Sequence, residues 1–408
     1  AEAALKLLSS SAKFATFLRT IGVDVPTKVS NTTGKDIPAL AKTDEAFLAL
    51  QEHDNPLVAS AAQARLDAKS TILQTRIQAF MAASDAHPDK QVPIPLKYYG
   101  ADTTGRWSGW GYNPQNLPRV NPYSPKPSDA LRKSLVAPAG HKVVVADLSG
   151  IELRVNHFLW KVPASMELYQ ADPEKADLYK DFASKLYDVP VDQVTKVQRQ
   201  VGKVAHLGLG FGAGHVTFQK VAKLMGGVDI TEQESREIVE TWRGSYSEIV
   251  RGWKTCHACL PTIMRGATGS SVDPWGMVTP VPEGLKTPKG LIRYPDLRTE
   301  RNEDDNRMEF MYGNGRNKAR IYAGKIDENI VQHLARCVIA DNALTVQQVT
   351  GLNPALMVHD ELVYVVPDED AQNVLDTVQN VMRTPPKWWP ELVTWSEGDI
   401  ADTYGDAK

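Results

Sequence analysis

Residues 142–154 read KVVVADLSGIELR. The apolar run after Lys142 is short enough for a buried strand, and that strand ends on a carboxylate, Asp147. The same device recurs near the end of the sequence. There ALMV (355–358) and LVYVV (362–366) flank His359-Asp360-Glu361, the pattern of a tight β-hairpin with Asp360 at its tip. A carboxylate at a strand end beside apolar neighbours is partly desolvated and stays ionised only with cations close by. Two of them brought together repel unless divalent metal lies between, the arrangement of two-metal phosphoryl or nucleotidyl transfer with ions about 3.5–4 Å apart. Taken singly, each aspartate also reads as a turn former.

The segment between these aspartates supplies cations. Arg199, Lys203, Leu207 and Phe211 recur every fourth residue and so share one slowly drifting helical face. Such a face holds a triphosphate at its cationic end and stacks on a flat base at its apolar end. The plainer reading is an ordinary amphipathic helix. Against it stand Gly202, Gly208 and Gly210, each costing about 1 kcal/mol in a helix interior, followed by Gly212 and Gly214. Glycines kept at that cost point to a bend or a close backbone approach.

The whole sequence has 408 residues, with 46 Lys and Arg against 49 Asp and Glu, a formal net charge of −3. At 42% hydrophobic and 23% charged residues it has the balance of a globular chain rather than a disordered one, long enough for two or three domains. No apolar run approaches the ~18 residues needed to span a bilayer. Three cysteines, Cys256, Cys259 and Cys337, do not make a disulfide framework and suit a reducing compartment. The start, AEAALKLLSSSAKF, has no secretory signal and reads as a piece of a longer chain.

Near-neutral overall charge excludes a general polyanion sponge but not nucleic acid, which needs only a local basic stripe. Residues 97–142 carry seven Lys or Arg against Asp102 and Asp129, and Arg316, Lys318, Arg320 and Lys325 form a second basic stretch without an acid. Acids gather in the last forty residues. A solvated face is the ordinary account of any one such run.

Along the chain, Leu57 to Ala83 suits one extended helix. Residues 98–142 are irregular, a helix opens at Asp172 with Pro173 in its first turn, 265–315 holds loops or short strands, and 325–350 is helical.

At these residues the sequence resembles the family A DNA polymerases, the bacterial DNA polymerase I and phage type. DLSGIELR (147–154) looks like the family's motif A, RQVGKVAHLGLGFG (199–212) like motif B, and MVHDEL (357–362) like motif C. Upstream, TGRWS (104–108) and NPQNLPR (113–119) are similar to the segment that grips primer–template, and Thr33-Gly34 and AKST (68–71) to the thumb. The resemblance runs from about residue 10 to the last residues. Four motifs in order make it specific.

It implies an α+β right-hand polymerase: a partial, helical thumb over 1–96, a palm with an antiparallel sheet over 97–155 and 333–408, and helical fingers over 156–332. It implies template-directed addition of dNTPs to a primer 3′-OH. Asp147 and Asp360, with the backbone carbonyl of Leu148, would bind two Mg²⁺, with Mn²⁺ as a substitute. Arg199 and Lys203 would hold the triphosphate, with Lys203 as proton donor to pyrophosphate, since an ammonium is tunable and a guanidinium is not. Glu361 is carried over as catalytic. Ser149, Tyr179, Leu207 and Phe211 complete the nucleotide site, and Glu152 matches the steric gate that fills the space of a ribose 2′-OH. Arg106, Gln115, Asn116, Gln332 and His359 match DNA-contacting positions, which sense pair shape rather than sequence. The implied partners are primer–template DNA and dNTPs, acting on a monomer in the cytoplasm of a bacterial or phage-infected cell; no processivity partner can be read.

The sequence departs from the pattern at Leu148 and Gly150, where Tyr and Gln are usual, at Leu207 and Phe211, where larger or hydroxylated aromatics stand, and at Tyr179 in place of His. These departures predict slower incorporation and altered sugar selectivity. Single-subunit RNA polymerases share the metal aspartates and the fingers Lys, but need room where Glu152 stands; a truncated, non-catalytic DNA-binding relative is the third class. Asp172-Pro173-Glu174, the one Asp-x-Glu of the sequence, reads as a helix cap, which predicts no proofreading from this chain. Cys256-His257-Ala258-Cys259 lacks a second half for a zinc site. His206, His215 and His333 read as core or surface residues, and Trp388, Trp389 and Trp395 as palm core.

Overall fold

The computed structural model describes residues 2–29, 35–41, 44–53, 55–69, 72–118, 129–302 and 306–407. Thr33-Gly34, Ser70-Thr71, Arg119 and Lys126 lie outside the described residues. The chain divides into two compact units, Ala1–Pro93 and Ile94–Lys408.

The first unit holds helices α1 (Glu2–Ser9) and α2 (Ser11–Thr20), the antiparallel strands β1 (Thr27–Val29) and β2 (Asp36–Pro38), and helices α3 (Glu45–Leu48), α4 (Pro56–Lys69) and α5 (Ile72–Asp85). The stretch expected as one helix over 57–83 is therefore described as two helices, α4 and α5, on either side of residues 70–71. Phe14, Leu18, Leu40, Phe47, Val58 and Ala62 form the core. Within it lies a wholly buried arginine, Arg65, whose guanidinium sits 4.7 Å from the Phe14 ring centre. It donates to the carbonyls of Ser10 (3.3 Å) and Leu40 and to the Ser11 hydroxyl (2.9 Å).

The second unit begins with the short strands β3 (Leu96–Lys97) and β4 (Ser108–Gly109) and the helix α6 (Ala130–Lys133). Strand β5 (His141–Leu148) then feeds α7 (Ile151–Leu159) through Gly150, whose φ of 60° is the left-handed turn that a glycine adopts freely. Helices α8 (Pro163–Ala171), α9 (Leu178–Tyr187), α10 (Lys196–Leu209), α11 (His215–Gly226), α12 (Glu232–Ser245) and α13 (Ser247–Met264) follow. The helix expected to open at Asp172 opens instead at Leu178, capped by Asp177, whose side chain accepts from the backbone N–H groups of Tyr179 and Lys180. Asp172 serves a turn: its Oδ1 accepts from the N–H groups of Glu174 and Lys175. A carboxylate with two free N–H groups close behind it closes a turn as readily as it caps a helix.

The glycine- and proline-rich stretch after α13 forms two small antiparallel sheets. One holds β6 (Thr279–Val281), β7 (Gly284–Thr287) and β8 (Gly290–Arg293); the other holds β9 (Arg298–Arg301), β10 (Met308–Tyr312) and β11 (Ala319–Ile321). Then come α14 (Ala323–Thr350), β12 (Leu356–Val358), β13 (Glu361–Pro367), α15 (Ala371–Arg383) and β14 (Ser396–Ala401).

The central sheet runs β12-β13-β5-β14, all antiparallel. Alternation decides its faces. Val144, Ala146 and Leu148 on β5, with Leu362, Tyr364 and Val366 on β13, point into the main core, where α15 packs against β5 and β14. Val143, Val145 and Val363 on the opposite face are buried too, so a slip of one residue would exchange the two apolar sets and spoil the packing of both, at about 1.5–3 kcal/mol per Val or Leu side chain left unburied.

Candidate active site

Register also aligns the carboxylates. Glu361 on β13 pairs directly with Asp147 on β5, and Glu397 on β14 pairs with Asp147 from the other side. Val358 pairs with Glu361, so only His359 and Asp360 make the hairpin turn, with His359 at φ 54°, as a two-residue turn requires. The backbone N–H of Leu148 donates to the carbonyl of Asp360 at 3.1 Å. Asp147 and Asp360, 213 positions apart in the sequence, thus occupy adjoining positions at one end of the sheet. Both are half-buried.

Two adjoining cavities lie near this end, of which only the smaller is lined by Asp360, and Asp147 lines neither. One, of about 650 Å³, is lined by Glu152, Tyr179, Leu207, Phe211, Arg320 and Gln332, among others, bringing together residues of α7, α9, α10, α14 and β11. A small cleft next to it is lined by Arg106, Glu152, Gln332, Arg336, His359 and Asp360. Glu152 and Gln332 belong to both, and so join the nucleotide-sized space to the aspartate. Arg106 ties the pieces: its Nη1 lies 3.0 Å from Glu152 Oε1 and its Nη2 donates to His359 Nδ1 at 3.4 Å. Burial pushes the Glu152 carboxyl above its usual range, against the pull of Arg106.

Helix α10 starts from a reciprocal cap, with Thr195 accepting from the Gln198 N–H while Gln198 accepts from that of Thr195. Gly202 in its middle has a packing reason: a Cβ there would come within 2.2 Å of the Tyr179 carbonyl oxygen. The same holds at Gly324, where a Cβ would meet the Phe211 carbonyl oxygen. At its far end Asn156 of α7 donates to the Gly210 carbonyl at 3.3 Å.

The structure does not bring every expected residue to the cavities. Arg199 and Lys203 line neither of them. Arg199 is held by Asp177 at 2.6 Å and lies 5.3 Å from the Tyr179 ring centre, while Lys203 is exposed. Gln115 is buried and donates to the Met357 carbonyl at 3.2 Å, which makes it a strut beneath β12, whereas Asn116 is exposed. The Ser149 hydroxyl is buried, and its N–H donates to the Trp395 carbonyl. Glu361, expected as catalytic, is only 1% exposed and accepts a hydrogen bond from the Tyr404 hydroxyl.

Several residues escaped the sequence reading. Arg320 appeared there only as part of a basic run, although it lines the larger cavity; Arg336 stands four residues after Gln332, a helical spacing that could have found it. Tyr404, Arg132 and Glu397 had no local signal, because strand pairing and long-range packing alone place them.

Cys256, Cys259 and Cys337 are all buried. Burial raises their thiols, to about 12 for Cys259 and about 11 for Cys337. His206 and His333 are buried and held neutral by desolvation, and His215 lies 3.5 Å from Glu232. Trp389 is in the core with Trp388 packed against it. Among the described residues, no group of three or more His, Cys, Asp or Glu is arranged to hold a metal ion, and no helix is long and apolar enough to cross a membrane.

A mixed chain with small antiparallel sheets, two carboxylates at one sheet end and a helical wall around them has the fold of a DNA polymerase I polymerase domain. The polymerase domain of Pol1 from M. smegmatis, solved in complex with DNA primer-template and dNTP, matches with a TM-score of 0.66 over 100% of this chain and 64% of that one, at 19% identity. The sequence profile of DNA polymerase family A matches residues 7–258, more than half of the sequence, and the chain belongs to that family. A DNA polymerase of Bacillus phage SP02 is 27% identical over 372 residues, 82% of this chain and 56% of that protein. DNA polymerase I of Synechocystis sp. is 24% identical over 353 residues, 84% of this chain and 32% of the relative. The thermostable DNA polymerase I of Thermus aquaticus is 26% identical over 291 residues, 69% of this chain and 29% of the relative. The chain spans about half the length of the phage relative and a third or less of the bacterial ones.

Proposed function

We propose that the chain is a template-directed DNA polymerase that joins dNTPs to a primer 3′-hydroxyl. One observation carries this reading: in a chain of DNA polymerase family A, the β5–β13 ladder sets Asp147 beside Asp360, and Asp360 lines a small cleft that shares Glu152 and Gln332 with a larger cavity. The volume of the larger one, about 650 Å³, lies in the range of small-molecule sites.

Two carboxylates and the Leu148 carbonyl make an all-oxygen donor set, which fits a hard divalent cation such as Mg²⁺ or Mn²⁺. Asp147, Asp360 and the Leu148 carbonyl would hold such ions, whose chemistry would be to acidify the primer 3′-oxygen and offset the charge of the triphosphate. The protein's own groups do the rest. Glu152, at the seam of the two cavities, closes the space a ribose 2′-OH needs. Leu207 and Phe211 wall the base and sugar. Arg199, on release from Asp177, and Lys203 bind the phosphates, and Lys203 gives its proton to pyrophosphate. Arg106, His359, Gln332 and Asn116 contact primer–template, with Ser149 and Tyr179 near the nucleotide. Gln115 and Glu361 support the hairpin from beneath.

In the same reading residues 1–96 are the thumb, 97–155 and 333–408 the palm and 156–332 the fingers; this chain carries no proofreading exonuclease site, and a monomer works in a bacterial or phage-infected cytoplasm. Primer extension with dNTPs and with rNTPs tests it, in the parent and in Asp360→Ala. Extension with dNTPs alone, abolished by the substitution, supports the reading; parental extension by Asp360→Ala overturns it. Extension with rNTPs would instead select an RNA polymerase-like enzyme, which Glu152 at the cavity wall disfavours.

A further inference from the structure

Under the hairpin that carries Asp360 lies a buried polar cluster that the proposed chemistry does not use. Arg132 of α6 stacks its guanidinium 4.1 Å from the ring centre of Tyr404 and donates from Nη2 to the Tyr404 hydroxyl. That hydroxyl donates to Glu361 Oε1, and Arg132 Nη2 lies 3.7 Å from the same oxygen. All three residues are 4% exposed or less. Glu361 is the register partner of Asp147 and the chain neighbour of Asp360.

Tyr404 is held in place by backbone. Residues 402–404 lace onto 135–137: Ala137 N–H donates to the Asp402 carbonyl at 2.8 Å, Tyr404 N–H to that of Leu135 at 2.9 Å, and Val136 bridges Thr403. A Cβ on Gly405 would come within 2.7 Å of the Lys133 backbone nitrogen, so glycine permits this approach. Lys133 and Asp406 pair at 3.3 Å.

We infer that Tyr404 and Arg132 are positioning residues for the aspartate pair, clamping Glu361 so that the turn carrying Asp360 and the end of β5 carrying Asp147 keep one fixed alignment. The clamp rests on the polymerase reading above and adds to it the segment 402–407, which no motif marks. Its force comes from buried, charge-assisted hydrogen bonds, which hold geometry more firmly than exposed ones. A misaligned metal pair slows chemistry while leaving nucleotide capture by the helical wall largely intact.

Tyr404→Phe tests this, because it removes the hydroxyl and keeps the ring on Arg132. Single-turnover primer extension in this variant should show a rate about tenfold lower with a dNTP dissociation constant within about twofold of the parent. Amide hydrogen exchange without nucleotide or metal is the second readout: the Leu148 amide, bonded to Asp360, should exchange several-fold faster while the α15 amides keep parental rates. Unchanged extension together with unchanged Leu148 exchange overturns the clamp, and so does a uniform rise in exchange across the unit, which marks general loosening. Arg132→Lys provides the second variant, expected to show the same split. A parent that extends no primer would sink the polymerase reading, while the exchange measurement would still decide whether Tyr404 pins the hairpin.

Discussion

Asp327, in the first third of α14, has both carboxylate oxygens taken by indoles, accepting from Trp160 Nε1 at 2.8 Å and Trp253 Nε1 at 3.1 Å. Burial nevertheless wins over these two donors and pushes its carboxyl up to about 7. A raised acid binds its proton more tightly folded than unfolded, so the folded state is favoured below the unfolded value near 4 and loses that advantage as pH rises through about 7. Melting temperature should therefore fall more between pH 5 and 8 in the parent than in Asp327→Asn; equal falls in thermal scans would contradict this. Gly202→Ala sets a methyl against the Tyr179 carbonyl, a backbone atom that cannot swing aside, and should cost about 1–3 kcal/mol in denaturant unfolding. Leu207 is half exposed on the cavity wall, so Leu207→Tyr should raise the ratio of dideoxynucleotide to deoxynucleotide use in primer extension, while an unchanged ratio counts against its place at the sugar. At this scale the sequence was legible for Asp147 and Asp360, whose apolar flanks announce strand ends. It was silent on Tyr404, whose partners lie 272 and 43 residues away.

Among elements, α10 and the β12–β13 hairpin could be read from the sequence because their signals are local: a repeat every fourth residue, and two apolar runs around a three-residue break. The start of α9 could not, since Asp172 and Asp177 are both plausible caps and only packing of the preceding segment chooses between them. Arg65 shows the same limit. Nothing in QARLDAK (63–69) marks an arginine that will be wholly buried, because its partners, the carbonyls of Ser10 and Leu40 and the Ser11 hydroxyl, lie 25 to 55 residues away. Arg65→Met keeps volume but leaves those carbonyls without their donor, and should lower the stability of the first unit by about 3 kcal/mol. Denaturant melts of the full chain, followed by far-UV circular dichroism, measure this; a loss below about 0.5 kcal/mol would show that stacking on Phe14, which methionine largely retains, is what matters.

For the whole molecule, the two compact units each hold an apolar core among the described residues, which implies two cooperative units. Differential scanning calorimetry should resolve two transitions, with Arg65→Met moving the smaller and Asp327→Asn the larger; a single transition shifted by both substitutions would show that the units melt as one. Family membership was readable at this scale because four motifs stand in order, a pattern that survives wide divergence. How the chain brings Arg106, Glu152, Gln332 and His359 around one aspartate was not, since that depends on pairing across hundreds of residues. The three thiols, shielded from solvent and shifted away from the reactive thiolate, have a practical consequence. Maleimide dyes should ignore the native protein, so one cysteine introduced at Leu224, 73% exposed on α11, would label cleanly and report by fluorescence on that helix during turnover.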